Sequence, residues 1–148
     1  MAKLIIPNEW WTAPAQSHNN DNTIIVTGRR DMDHIISLGK FNFRIEISWK
    51  YSPDEHGMPP LKESQLMEQV TDAILNAFNS DPVAILTGIY TGDGERTLSI
   101  YTRSLHIFQR KINDILAPFP TIPISFTAFN DPDWEEYREM RETEIPDE

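Results

Sequence analysis

Segment 41–51 alternates between large apolar and polar side chains, and this pattern constrains the fold more strongly than any other. The odd positions hold Phe41, Phe43, Ile45, Ile47, Trp49 and Tyr51. The even positions hold Asn42, Arg44, Glu46, Ser48 and Lys50. Because consecutive side chains of a strand point to opposite faces, the segment predicts one long β-strand with an apolar face and a polar face. Three charged groups on one face argue against a doubly buried parallel sheet, so we predict an antiparallel sheet that is open to water on one side.

Apolar periodicity and turn residues predict the elements that follow this central strand. Leu66, Val70 and Ile74 recur at helical spacing, which predicts a helix over 61–79. A second helix is predicted over 104–117, with Ser104 as its N-cap. Strands are predicted over 83–91, 95–102 and 122–130. Gly92-Asp93-Gly94 predicts a tight hairpin between the first two, because these residue types tolerate a positive φ.

The order of these elements predicts the fold class. From the central strand onward it is strand, helix, strand, strand, helix, strand, which is the split βαβ or ferredoxin-like pattern. Right-handed crossovers place both helices on one face of such a sheet. We therefore predict one α+β domain over 1–148, a two-layer ferredoxin-like sandwich with an extra N-terminal strand and C-terminal helix. Strands 83–91 and 122–130 would be the edges, the second of them partly blunted by Pro123.

The N-terminal region is harder to interpret. The composition of residues 1–22 predicts an irregular arm that Trp10 and Trp11 attach to the body of the domain. The secondary structure of segment 29–40 stays ambiguous. The β-branched run 23–27 is a strand candidate. Strand 83–91 has neither a charge nor a proline, so it needs a cover on its outer edge. We predict that either strand 23–27 or a second copy of the chain supplies it.

The C-terminal region predicts a capped helix. Asp131 is expected as the N-cap, with Pro132 at the first helical position and acidic residues in the first turn. Trp134, Tyr137 and Met140 share one face, so we expect them to dock onto the body. The acidic tail 142–148 is expected to be frayed.

Composition excludes several classes of function. The chain has 148 residues and no cysteine, which excludes disulfides, thiolate metal sites and cysteine nucleophiles. A formal net charge of −10 repels phosphate backbones, so we expect no nucleic-acid partner. No apolar run approaches the roughly 20 residues that cross a bilayer, and no signal peptide is evident, so we predict a cytoplasmic protein with no membrane partner.

No catalytic, metal-binding or cofactor-binding constellation is evident. The four histidines lie on separate segments without metal-ligand spacing. Asp31, Asp33 and His34 could line a metal loop, but a solvated polar loop fits better because the calcium-loop spacing and glycine are missing. On the polar sheet face, Arg44, Lys50 and Tyr101 are residue types that contact bases in RNA-recognition modules, yet the glycine–aromatic signature of those modules is absent. We predict neither catalytic residues nor a cofactor or metal.

Three motifs in order give the chain a family resemblance. They are Gly-Met-Pro at 57–59, Thr-Gly-Asp-Gly-x-Arg at 91–96 followed by Ile-Tyr-Thr at 100–102, and Asp-Pro-Asp-Trp-x-x-Tyr at 131–137. Together they resemble the bacterial family catalogued as domain of unknown function number 695, from about Trp10 to Tyr137. Members of that family are sometimes fused to a domain similar to regulator of ribonuclease activity B, so the resemblance implies a ferredoxin-like fold. It implies no catalytic residues.

Two classes of function remain open. The first is a non-catalytic protein-binding or regulatory module, monomeric or homodimeric, whose acidic surface recruits a basic protein. Its predicted contacts are Asp93, Arg96, Glu135 and Glu136, because loops and helix ends present groups without disturbing the core. The alternative is a small hydrolase or transferase whose site is not visible in the sequence. A cleft with convergent titratable groups of shifted pKa would favour the enzyme.

Overall fold

A computed structural model describes residues 6–16, 22–80 and 82–144, without the side chain of Ser80. The elements in chain order are β1 Trp10–Gln16, β2 Thr23–Arg29, α1 Asp33–Ser37, β3 Phe43–Lys50, α2 Leu61–Ser80, β4 Ala84–Gly92, β5 Glu95–Thr102, α3 Leu105–Leu116, β6 Ile124–Asn130 and α4 Glu135–Arg141. The strands form a six-stranded, open, antiparallel sheet in the order β1-β2-β4-β5-β3-β6. The prediction of an antiparallel α+β fold is confirmed.

The central strand lies where its pattern predicts. On β3, Ile45 is opposite Ile100 of β5 on one side and Ala128 of β6 on the other. The hairpin between β4 and β5 is also confirmed. Asp93 and Gly94 have φ angles of 54° and 79°, and Gly92 pairs with Glu95, so the turn has two residues with the left-handed backbone of a type I′ turn.

The first face of the sheet carries the core that the alternation predicts. Ile45, Ile47 and Trp49 are buried there against apolar residues of α2 and α3, which include Met67, Val70, Ile74, Phe108 and Ile112. Ser104 caps α3, because its Oγ accepts a hydrogen bond of 3.2 Å from the Ile107 amide. Phe43 is only half-buried. Phe41 precedes the strand and is buried in a different core, so its predicted face is wrong.

The second face is not open to water along its whole length, and this corrects the two-layer prediction with helices on one face only. A second core lies on it, with Tyr101, Ile85 and Val26 of the sheet under Ile35 of α1 and Tyr137 of α4. The polar residues of the central strand predicted a face open to water. The aromatic residues that cover part of this face come from segments distant in sequence, so the strand itself gave no sign of them. Segment 29–40 supplies part of this cover through α1.

The N-terminal region is a strand pair, so the predicted irregular arm over 1–22 is wrong for residues 10–16. β1 pairs with β2, and β2 pairs with β4 through contacts such as Thr27 with Ile89. The intrachain cover of strand 83–91 is therefore confirmed. Gly28 lies opposite Gly88 in this pairing. A Cβ on Gly28 would lie 2.3 Å from the Trp11 ring and one on Gly88 would lie 2.5 Å from Met140 Sδ, so both glycines permit close packing.

Two boundary predictions are also corrected. Helix α4 begins at Glu135, and Trp134 before it has a left-handed φ of 55°, so Asp131 and Pro132 precede the helix. The Asp131 carboxylate still accepts hydrogen bonds of 2.8 and 3.4 Å from the Glu135 and Glu136 amides. Strand β6 begins at Ile124, so Pro123 lies outside the edge that it was expected to blunt.

The predicted frayed tail lies partly outside the described residues. Residues 142–144 form a turn, and Glu144 makes an ion pair of 2.9 Å with Arg30. Residues 145–148 are not described. Across the described parts of the chain, no helix combines the length and apolar character needed to cross a membrane.

Candidate functional site

An acidic cleft lies on the second face of the sheet, beside helix α4. Its volume is about 560 Å³. The strands β1, β2, β3, β4 and β5 contribute to it, together with the β4–β5 turn, helix α4 and Thr143. The lining residues are Ala15, Gln16, Ile24, Val26, Glu46, Tyr90, Asp93, Thr97, Glu136, Glu139, Met140 and Thr143. We name this cavity the acidic cleft.

Carboxylates dominate the polar part of the acidic cleft. They are Glu46, Asp93, Glu136 and Glu139, and the described lining residues include no lysine, arginine or histidine. Asp93 accepts a hydrogen bond of 3.3 Å from Asn22 Nδ2, which ties the turn to the start of β2. Because clefts with low-dielectric walls focus the field of their charges, the cleft attracts cations.

Glu136 is a partly buried carboxylate of the acidic cleft. The hydroxyl of Tyr90 donates to its Oε1, and Ser99 Oγ donates to its Oε2 at 3.1 Å. Burial raises the pKa of Glu136 above its usual range, although both hydrogen bonds and the Arg44 charge oppose that shift. The side chain is therefore held at the junction of β4, β5 and α4, with its position set by two donors.

A polar network behind the cleft supports Glu136 and Glu46. Asp131 accepts a 2.7 Å hydrogen bond from the Tyr101 hydroxyl and a 3.3 Å bond from Arg44 Nε. Arg44 also makes an ion pair with Glu46. Burial acts to raise the pKa of Asp131, but hydrogen bonds from Tyr101 and two backbone amides outweigh it, so the pKa is lowered.

The structure separates the four predicted contact residues. Asp93 and Glu136 both line the acidic cleft. Arg96 lies on the opposite face, in a cavity of about 490 Å³ beside α2, where its Nε donates to Thr91 Oγ1 at 3.0 Å. Glu135 is exposed and is not among the residues that line the cleft. Burial lowers the pKa of Arg96, although the charge of Glu68 opposes that shift.

Sequence reasoning missed Glu46, Tyr90 and Glu139. Glu139 follows Glu136 by three residues on α4, and that spacing placed the two side chains on one helix face. Glu46 and Tyr90 gave no such signal, because strand order alone brings β3 and β4 to the same cleft. Asp33 belongs to the candidate metal loop of the sequence analysis. In the structure it instead makes an ion pair of 2.9 Å with Arg141. Within the described ranges, no group of three or more metal-ligating residues forms.

The fold defines the class of protein: an α+β protein with an open antiparallel sheet, helices on both faces and an acidic cleft on one of them. A family model described as Family of unknown function (DUF695) matches residues 9–140. The chain belongs to this family, as its three motifs predicted. No curated protein and no solved structure matches the chain. The likeness to regulator of ribonuclease activity B stays a prediction.

Proposed function

We propose that this chain is a non-catalytic protein-binding module whose acidic cleft receives a lysine or arginine side chain of a basic partner protein. The observation that carries the proposal is the meeting of Glu46, Asp93, Glu136 and Glu139 in one cavity without a cationic side chain among its described lining residues. Carboxylates from separate elements that line one cavity offer several acceptor positions to a cationic group that enters it.

The remaining walls of the acidic cleft suit the stem of such a side chain. Ile24, Val26 and Met140 are apolar and lie beside the carboxylates. Lysine and arginine place their methylene stems along apolar surface and keep the charged head in polar surroundings. A cavity of about 560 Å³ holds one such side chain and part of its backbone. The formal net charge of −10 would add long-range steering of a basic partner.

Short labelled peptides provide the direct test. Each carries one lysine or arginine between neutral residues, and binding to the intact protein is followed by fluorescence anisotropy at low and high salt. We expect binding that weakens as salt rises, because screening shortens the Debye length from about 10 Å at 0.1 M to about 3 Å at 1 M. Glu139→Gln is expected to weaken binding by about tenfold, since a charge-assisted hydrogen bond contributes roughly 1.5–3 kcal/mol.

Matched charge changes elsewhere separate the cleft from the general acidic surface. Glu135→Gln removes one charge from the same helix outside the cleft, and Asp114→Asn removes one from α3. Both variants are expected to bind the peptides like the unmodified protein. Equal losses in all three variants would show that net charge alone attracts the peptides. A peptide with acetylated lysine that binds as well as its parent would also reject the proposal.

Two finer assignments belong to the same proposal. The order β4-β5-β3-β6, joined through α2 and α3, supports a ferredoxin-like unit to which β2 and β1 add at the β4 edge. A cytoplasmic location accords with the absence of cysteine, because reducing compartments do not favour disulfides. Both are proposals, and an experimental structure and fractionation of the native cell would test them.

The enzyme alternative has one observation in its favour. Glu136 lies in an open cleft with a raised pKa, and a carboxyl group of that kind can act as a general acid or base in a hydrolase or transferase. Both of its oxygens already accept hydrogen bonds from Tyr90 and Ser99, which supports a positioning role instead. Turnover of a metabolite by the purified protein, abolished by Glu136→Gln but not by Glu135→Gln, would favour the enzyme.

A further inference from the structure

The outer edge of β6 carries unpaired backbone groups. The Pro123 carbonyl accepts from the Lys50 amide at 3.3 Å, and the Asp131 amide donates to the Asn42 carbonyl at 2.8 Å, so odd-numbered residues of this segment bond to β3. The even-numbered residues therefore point their amides and carbonyls outward. Ile124 N–H bonds to the Ile122 carbonyl at 2.9 Å. In the described part of the chain, the amides of Phe126, Ala128 and Asn130 have no partner.

The two edges of the sheet, β1 and β6, differ in how they are protected against pairing with a further strand. At the other edge, the Glu9 carbonyl accepts from the Arg30 amide at 2.8 Å, which places the odd-numbered residues of β1 toward β2. Pro14 of β1 therefore occupies an outward position, where it removes a donor from that edge. Strand β6, Ile124–Asn130, contains no proline and no charged residue. An exposed edge without charge or proline is a template for pairing with another strand.

Apolar side chains surround the unprotected edge. Phe126 is 47% exposed and Phe129 is 37% exposed. A groove of about 240 Å³ runs between β6 and α3, and its apolar lining is Ile45, Leu105, Phe108, Ile112, Phe126 and Ala128. Charged groups are absent from the described lining of this groove, in a chain with a formal net charge of −10. Contiguous apolar surface beside an open edge indicates an interaction site.

We propose that β6 is the homodimer interface of this protein, pairing antiparallel with β6 of a second copy about a two-fold axis at Thr127. In this register Phe126 lies opposite Ala128 of the second copy, and Ile124 lies opposite Asn130. At these positions the backbone amides and carbonyls point away from β3. The unpaired amides of Phe126, Ala128 and Asn130 therefore all meet carbonyls of the second copy. The sheet then continues from one copy into the next.

The sequence of β6 is self-complementary in this register, and this favours a second copy over an unrelated strand. The bulky Phe126 faces the small Ala128 on the helical side of the sheet, and Phe129 faces Ser125 on the other side. No like charges lie directly opposite each other, although each copy is acidic overall. A two-fold contact of this kind is closed, because the β6 edge of each copy pairs with the β6 edge of the other.

Light scattering after size-exclusion chromatography tests the proposal on the whole chain. We expect a mass twice the 17.1 kDa of one chain at high concentration, falling toward one chain on dilution. Ala128→Pro removes an outward donor without removing a hydrogen bond to β3, and Ala128→Lys places a charge opposite Phe126. Each variant is expected to raise the dimer dissociation constant at least about tenfold. Gln69→Lys on the exposed side of α2 adds the same charge as a control.

Amide hydrogen exchange supplies a residue-level measure. The amides of Phe126, Ala128 and Asn130 are expected to gain protection as concentration rises, whereas protection within β3 stays unchanged. Circular dichroism confirms that each variant is folded. A monomer at every concentration would overturn the proposal, and so would a dimer that survives both substitutions at Ala128. Peptide binding in the acidic cleft is measured separately, so either proposal can fail while the other stands.

Discussion

Tyr101 and Trp134 stack face to face, with ring centroids 4.0 Å apart and ring planes 10° apart. Tyr101 belongs to β5, and Trp134 belongs to the turn before α4. The Trp134 indole also donates a 2.8 Å hydrogen bond to the Phe41 carbonyl, and Tyr137 contacts it edge-on at 5.5 Å. This stack therefore attaches the C-terminal motif to the middle of the sheet and organises the second core.

Trp134→Ala is expected to lower the free energy of unfolding by about 3–5 kcal/mol, because it removes a large buried side chain and leaves a cavity. Trp134 is only 1% exposed. Urea denaturation followed by circular dichroism measures the change. Leu61→Ala, at a residue that is 74% exposed, is the control and should change stability by less than about 0.5 kcal/mol. A loss below about 1 kcal/mol for Trp134→Ala would contradict docking of this motif.

Ile47→Ala tests the first core in the same way. Ile47 is 2% exposed beneath the two long helices, so lost transfer energy and a cavity are expected to cost about 2–5 kcal/mol. Equilibrium unfolding in denaturant gives the value. Ile107→Ala on α3, where the side chain is 41% exposed, is the matched control. Similar losses at both positions would mean that the face assignment of β3 is wrong.

Gly28→Ala is expected to destabilise the fold by about 1–3 kcal/mol, since overpacking forces neighbouring groups to shift. The added Cβ would lie 2.3 Å from a carbon of the Trp11 ring, which is rigid and buried. A double-mutant cycle isolates this cause. In a Trp11→Ala background the same glycine substitution should cost clearly less. An equal cost in both backgrounds would assign the effect to backbone conformation instead.

Asp131 is expected to stabilise the fold in a pH-dependent way. Its pKa is lowered from 3.8 in the folded protein, so the unfolded chain binds the proton more readily. Its contribution is therefore complete above 3.8 and is lost as pH falls through the folded pKa. The stability difference between the unmodified protein and Asp131→Asn should shrink on acidification. Urea denaturation across that pH range measures it.

Glu136 is expected to show the opposite pH dependence of stability, so it serves as the control for Asp131. Burial raises its pKa above 4.5, so the folded state holds the proton more tightly than the unfolded chain does. Relative to Glu136→Gln, the unmodified protein should therefore gain stability as pH falls through the folded pKa toward 4.5. If both differences moved in the same direction with pH, the environments assigned to these two carboxyl groups would be incorrect.

Much of the sheet could be predicted because its signals are local. The alternation over 41–51, the hairpin at Asp93 and Gly94, and the helical stripe of α2 each depend on neighbouring residues only. The acidic cleft could be predicted only in part. Asp93 and Glu136 were chosen because they lie in a loop and near a helix end, and nothing in the sequence indicated that they would meet.

The sequence by itself determined the antiparallel sheet, the core-facing side of β3 at Ile45, Ile47 and Trp49, and the net negative charge of the chain. Periodicity and net charge are properties of the chain, and they do not depend on distant contacts. Only the tertiary structure decided that α1 and α4 cover the second face, that β1 extends the sheet, and that four carboxylates share one cleft. Those features come from pairings between residues far apart in sequence, such as Tyr101 with Trp134, whose partners no local pattern specifies.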